Sequence, residues 1–178
     1  MEKEQLNAIL QGAGIVSGIG IFFVALAYVL GPSYMVGPWS NWISFFGVLG
    51  GIIFVALKQR KALGGFWSFG QAFKFIFLVS LGFVIVIGLF EYLLFHVIDP
   101  DFYGRVMEET LQLTYERFTS FGLDDESMSE IMEKTEERLQ DQASFKGVLF
   151  GMGISVIVYA ILALIVGAFI KKKDPEIF

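Results

Sequence analysis

The sequence predicts an all-α integral membrane protein, a transmembrane four-helix bundle with an extramembrane acidic helical hairpin between its third and fourth membrane helices. Three observations lead there. Of the 178 residues, 55% are hydrophobic and 17% charged, with a mean hydropathy of +0.65, a composition typical of membrane proteins. Apolar runs cover residues 8–30, 39–57, 75–98 and 145–170, and at ~1.5 Å per residue each is long enough to cross a hydrocarbon core of ~30 Å. Charge is also segregated: residues 99–142 hold 13 acidic and 4 basic side chains, although the whole chain carries only −5. One membrane domain, residues 1–178, is the natural count, with residues 99–144 inserted in it.

Residues 1–7 form a short polar lead to the first apolar run, whose 23 residues carry no charge. Ala25-Leu26-Ala27 has the small residues of a signal-peptide cleavage site, but Glu2-Lys3-Glu4 is not a positive leader and the run is too long, so the segment is expected to be retained. Residues 31–38 contain two prolines and two glycines, which turn the chain. The second run follows, with Tyr34, Trp39 and Trp42 at its first end, where amphipathic rings prefer the headgroup boundary. Lys58, Arg60 and Lys61 stand at its other end with no acid among them, and the positive-inside rule makes that loop cytoplasmic.

Residues 63–74, Leu63-Gly64-Gly65-Phe66-Trp67-Ser68-Phe69-Gly70-Gln71-Ala72-Phe73-Lys74, read as a membrane-surface elbow. It has a glycine hinge, an interfacial tryptophan and a Ser68-x-x-Gln71 helix start in which each side chain satisfies the other's free N–H. The third run contains Glu91 and the only histidine, His96, and stops at Asp99-Pro100, an N-cap followed by a first-turn proline. Beyond it Tyr103, Met107, Leu111, Tyr115 and Phe118 recur at helical spacing, Gly122 is a stop, and a second helix starts near Asp124 or Ser127 with Met128, Ile131, Met132 and Leu139 on one side. The fourth run leads directly into lysines 171–173. A cytoplasmic N-terminus therefore puts both basic clusters and the C-terminus inside and the acidic hairpin outside.

The leucine-glycine-glycine elbow with its serine and glutamine, the Ile98-Asp99-Pro100-Asp101-Phe102 motif and the acidic pair of helices before a glycine-rich last helix together carry a resemblance. Over nearly its full length the chain resembles the bacterial membrane family catalogued as domain of unknown function 4199. That resemblance implies a multi-pass protein of the bacterial inner membrane, and the charge topology then makes the hairpin periplasmic or extracellular. It assigns no catalytic or binding residue.

Several residues are candidates on their own chemistry. Gly14 and Gly18, Gly47 and Gly51, and Gly147, Gly151 and Ser155 sit four apart, a spacing that lets helix backbones approach in lipid, within the bundle or in a homo-oligomer. Glu91 lies about 10 Å inside the outer boundary, where an unpaired charge costs on the order of 3 kcal/mol. It is expected to be a structural polar contact, with Lys146, Asn41 or Tyr28 as partner, or an acid reaching the interface, or else a proton or cation site. His96 lies about 140° around the helix from Glu91, and is read as an interfacial residue rather than a metal ligand. At the elbow, Gly64, Gly65, Ser68, Gln71 and Lys74 form either a plain surface turn or a place for a lipid phosphate. No metal site and no cofactor is expected, since neither thiolate clusters nor a phosphate-loop spacing occur. A nucleic-acid partner is excluded by the lack of a basic face. The expected partners are the lipid bilayer and a membrane protein or a further copy of the chain. The chain is expected to be no enzyme but an accessory or scaffold subunit. The alternative is a small homo-oligomeric transporter or channel that uses its intramembrane acid.

Overall fold

A computed structural model describes residues 3–172; the first two residues and the last of the three C-terminal lysines, Lys173, lie outside the described residues. The helices are α1 (Lys3–Leu30), α2 (Pro32–Val36), α3 (Pro38–Ala62), α4 (Phe69–Leu93), α5 (Pro100–Ser120), α6 (Asp125–Ala143) and α7 (Phe145–Ile170), with a π-helical turn, Leu94–Ile98, continuing α4. Four are long and apolar enough to cross a membrane: Lys3–Leu30, Pro38–Ala62, Phe69–Ile98 and Phe145–Ile170. Three of them overrun the apolar runs that announce them. Helical hydrogen bonding continues through polar flanks such as Lys58–Lys61, because a helix ends where capping stops it, not where the hydrocarbon ends.

Local chemistry explains most of the boundaries. The Ser68 Oγ accepts from the Gln71 N–H at 3.3 Å while the Gln71 side chain accepts from the Ser68 N–H at 3.1 Å, a complete capping box that starts α4 six residues before the third apolar run. Asp99 caps α5 by accepting the Phe102 N–H at 3.0 Å. Asp124, rather than Ser127, caps α6, and Ser144 caps α7. The prolines of the first turn do not only stop a helix: Pro32 begins the short α2 and Pro38 begins α3.

The four long helices form an incomplete ring. α4 packs extensively on α7 and α1, and α1 on α3, but α3 and α7 scarcely meet. The core joins Val16 of α1, Ile52 and Ala56 of α3, Ile76 and Val79 of α4, and Ala163 and Val166 of α7. These residues crowd the half of the bundle nearest the basic clusters. At that end Arg60 donates to the Ile170 carbonyl oxygen at 2.9 Å, tying α3 to α7.

The elbow closes the same end. Gly64 and Gly65 adopt φ of +86° and +89°, a conformation that needs glycine after a helix. Trp67 is not the expected interfacial residue: it is 3% exposed and packs against Phe75. Its N–H donates to the Lys172 carbonyl oxygen at 2.8 Å and its own carbonyl accepts from the Lys172 N–H at 2.9 Å. That exchange fixes the end of α7 beneath the elbow, which buries the indole in protein.

Candidate functional site, a lateral cleft containing Glu91

Where α3 and α7 diverge, the half of the bundle away from the basic clusters opens into a cleft of about 990 Å³. Phe83, Ile87 and Glu91 of α4 face it, with Phe23 of α1 beside them. One wall is α3, through Ser44, Phe45 and Val48, and the other is α7, through Gly151, Met152, Ser155 and Tyr159. Arg138, Asp141 and Gln142 of α6 and Lys146 of α7 surround its mouth.

Glu91 is partly buried in this space and no side chain among the described residues hydrogen-bonds or ion-pairs with it. Each expected partner is placed otherwise. The Tyr28 hydroxyl donates to Asp99 at 3.0 Å, the Asn41 amide reaches the Gly37 carbonyl at 3.5 Å, and Lys146 is exposed on the rim. The reading of Glu91 as an internally paired contact is therefore corrected.

His96 sits in the π turn, whose extra residue per turn rotates it relative to an α-helix. One ring nitrogen, Nε2, approaches the Ala143 carbonyl at 2.6 Å, the other approaches the Tyr92 carbonyl at 3.1 Å, and the ring stacks on Tyr92. It thus clamps the end of α4 to the end of α6. Among the described residues no three His, Cys, Asp or Glu side chains converge as a metal site would require.

A second polar cluster flanks the cleft at the top of α1. Phe102, 3% exposed, lies between Tyr28 and Phe95, with ring centroids 4.7 and 5.9 Å away, and carries the Arg105 guanidinium over its face. Asp99 takes hydrogen bonds from Tyr28 and Arg105, both at 3.0 Å. Desolvation pushes the Asp99 carboxyl up, but those bonds, the Arg105 charge and the Phe102 N–H together hold it below the usual carboxylate range. Tyr103 donates to the Leu139 carbonyl at 2.9 Å, joining α5 to α6, and burial pushes its phenol up. The sequence marked Asp99 as a cap; Tyr28, seventy-one residues away, and Arg105 carried no local signal.

The glycines divide. A Cβ on Gly51 would stand 2.7 Å from Ile19 and one on Gly47 would meet Phe23, so both lie at the α1–α3 contact. Gly14 and Gly18 face open space, while Gly12 and Gly20, on the adjoining face, meet Val55 and Phe83. Gly147 is not a bundle contact either but the corner between α6 and α7, where any Cβ would strike the Asp141 carbonyl. Gly151 touches nothing and faces the cleft. At the elbow, Ser68 and Gln71 are occupied with each other, while Gly64 and Lys74 are exposed.

A family model described as protein of unknown function (DUF4199) matches residues 13–172, which include every residue of the cleft and of the Asp99 cluster. No curated protein and no solved structure matches the chain.

Proposed function

The chain belongs to the DUF4199 family, and we propose that it is a non-enzymatic accessory or scaffold subunit of a bacterial inner membrane that holds a partner protein. The observation that carries this reading is the unfilled wedge between α3 and α7. A bundle whose core occupies one half and whose other half is splayed leaves helix surface that a second protein covers. α5 and α6 contact each other and extend beyond the spans as an acidic hairpin, which offers the partner a second, polar surface. Arg60 and Lys172 lie at one end of the bundle, the end bonded to Ile170 and Trp67, and the positive-inside rule supports a cytoplasmic location for that end and both termini. The hairpin is then periplasmic or extracellular. The non-enzymatic reading is supported by the structural commitments of the polar groups: His96 to backbone carbonyls, Asp99 to Tyr28 and Arg105, Asp124 to its helix start.

Native mass spectrometry of the protein released from its own membrane in mild detergent tests the reading. A heteromeric complex of fixed stoichiometry is expected; the chain alone, or only copies of itself, would contradict it. The unpaired Glu91 also favours a second reading, a homo-oligomeric transporter with that acid in the pathway. Ion flux into vesicles that is unchanged by Glu91→Gln removes that alternative.

A further inference from the structure

Resting on the accessory reading, we infer that the cleft receives a transmembrane helix of a different protein, and that this helix carries a lysine or arginine that pairs with Glu91. Three features of the cleft converge on such an occupant. The first is size. A helix about 10 Å across rising ~1.5 Å per residue occupies roughly 120 Å³ per residue, so a cleft of about 990 Å³ accepts about eight residues, or two turns. That is most of the ~15 Å depth of one half of the hydrocarbon core.

The second is the wall. Gly151 and Ser155 line the cleft four residues apart, and a Cβ on Gly151 would meet nothing within the protein. Small residues in that pattern let a second helix backbone come close. Lipid tails deform to fill any shape and gain nothing from such a groove, so the wall favours a helix over an acyl chain.

The third is charge. Glu91, Gly151 and Ser44 stand at similar depth, about 9–10 Å along their helices from the same end of the bundle. An unpaired acid at that depth is costly when ionised, and a basic side chain from the occupant removes the cost. Among the described residues, a second copy of this chain carries none at that depth in its membrane helices. Its basic residues lie at the opposite end, on α5 and α6, or at Lys146, which stands on the rim of its own cleft. The occupant is therefore a different chain.

The test uses the full-length protein in vesicles of phosphatidylethanolamine and phosphatidylglycerol and a synthetic leucine-alanine helix labelled for energy transfer. The helix carries one lysine about 10 Å below its outer end, with an all-apolar version as control. The lysine helix is expected to bind at least ~10-fold more tightly than the control, and Glu91→Gln should bring the two within about 2-fold. Gly151→Leu should weaken both by ~10-fold or more, with helix content and thermal unfolding unchanged, since nothing inside the protein meets that position. Equal binding of the two helices, or binding indifferent to Gly151→Leu, overturns the inference. So does energy transfer between copies of the chain that Gly151→Leu abolishes, which makes the occupant a second copy. A spin-labelled phospholipid immobilised at the cleft and not displaced by the lysine helix makes it a lipid and overturns the inference equally. A native complex that survives Gly151→Leu and Glu91→Gln sinks the cleft as docking site but leaves the accessory reading standing. Selective binding of the lysine helix by a chain that purifies without a partner upholds the site and sinks the accessory reading.

Discussion

Phe102→Ala should free α5 from the bundle. The ring is 3% exposed, faces Tyr28 and Phe95 and lies under Arg105. It belongs to α5, which is not among the four helices long and apolar enough to cross a membrane, and burial energetics of water-soluble helices are used for it. Truncating a buried phenylalanine costs ~3–5 kcal/mol, and the two aromatic neighbours contribute to that figure through one tilted and one stacked contact of ~0.5–1.5 kcal/mol each. Tyr28 and Phe95 can close part of the gap, which favours the lower end, about 3 kcal/mol. For a chain of this size that is a fall in melting temperature of roughly 6–12 °C. Phe102→Leu, which retains most of the apolar volume, should cost about 1 kcal/mol. Thermal unfolding in detergent reads the total, and amide exchange reads where it falls: protection should drop in α5 and the top of α1 and hold in the core around Ile76 and Val79. A loss below 1 kcal/mol for Phe102→Ala, or exchange spread evenly over the chain, refutes the view that this ring anchors α5.

Three further outcomes follow from the same contacts. Asp99 has a lowered pKa, so its contribution is complete above the unfolded value of ~3.9 and is lost as pH falls through the folded value. Protection of the first turn of α5 should persist at mild acidity and fade below about pH 4, and Tyr28→Phe should move that loss to higher pH; an unmoved profile counts against the bond. Gly147→Ala drives a Cβ into the Asp141 carbonyl and should cost ~2 kcal/mol or more, whereas Gly151→Ala, facing open space, should be neutral or stabilise by up to about 1 kcal/mol; paired melting curves distinguish them. Ser80 is 1% exposed and its hydroxyl has no partner among the described residues, so Ser80→Ala should be neutral or raise stability by ~1 kcal/mol, and a clear drop in melting temperature would show a hydrogen bond there.

Much of the architecture is written locally in the chain. Hydropathy over 15 or more residues identifies a span without any knowledge of its neighbours, and the caps at Ser68, Asp99 and Ser144 are three-residue hydrogen-bond patterns. What escaped was set between helices. In α1 the glycines at 12, 14, 18 and 20 offer more than one plausible face, and only the positions of α3 and α4 select Gly12 and Gly20. Trp67 has the composition of an interfacial residue, and its burial depends on pairing with Lys172 at the far end of the chain. Glu91 was visible as an intramembrane acid, but its lack of a partner depends on where Tyr28, Asn41 and Lys146 point. The cleft is likewise a relation among helices: it exists because Arg60 and Trp67 hold α3 and α7 together at one end only.

The asymmetric opening is the claim on which the functional reading depends. Because the chain contains no cysteine, spin labels can be placed singly at chosen sites and distances measured between them in lipid vesicles. One pair, at the exposed positions Leu57 of α3 and Phe169 of α7, reports on the packed half; the other, at Ser44 and Ser155, spans the cleft. The account predicts a short, narrow distribution for the first pair and a distinctly longer one for the second, contracting to a narrower one when the lysine helix is added. Equally short distances at both ends would contradict it, since no wedge would then exist for any partner to fill.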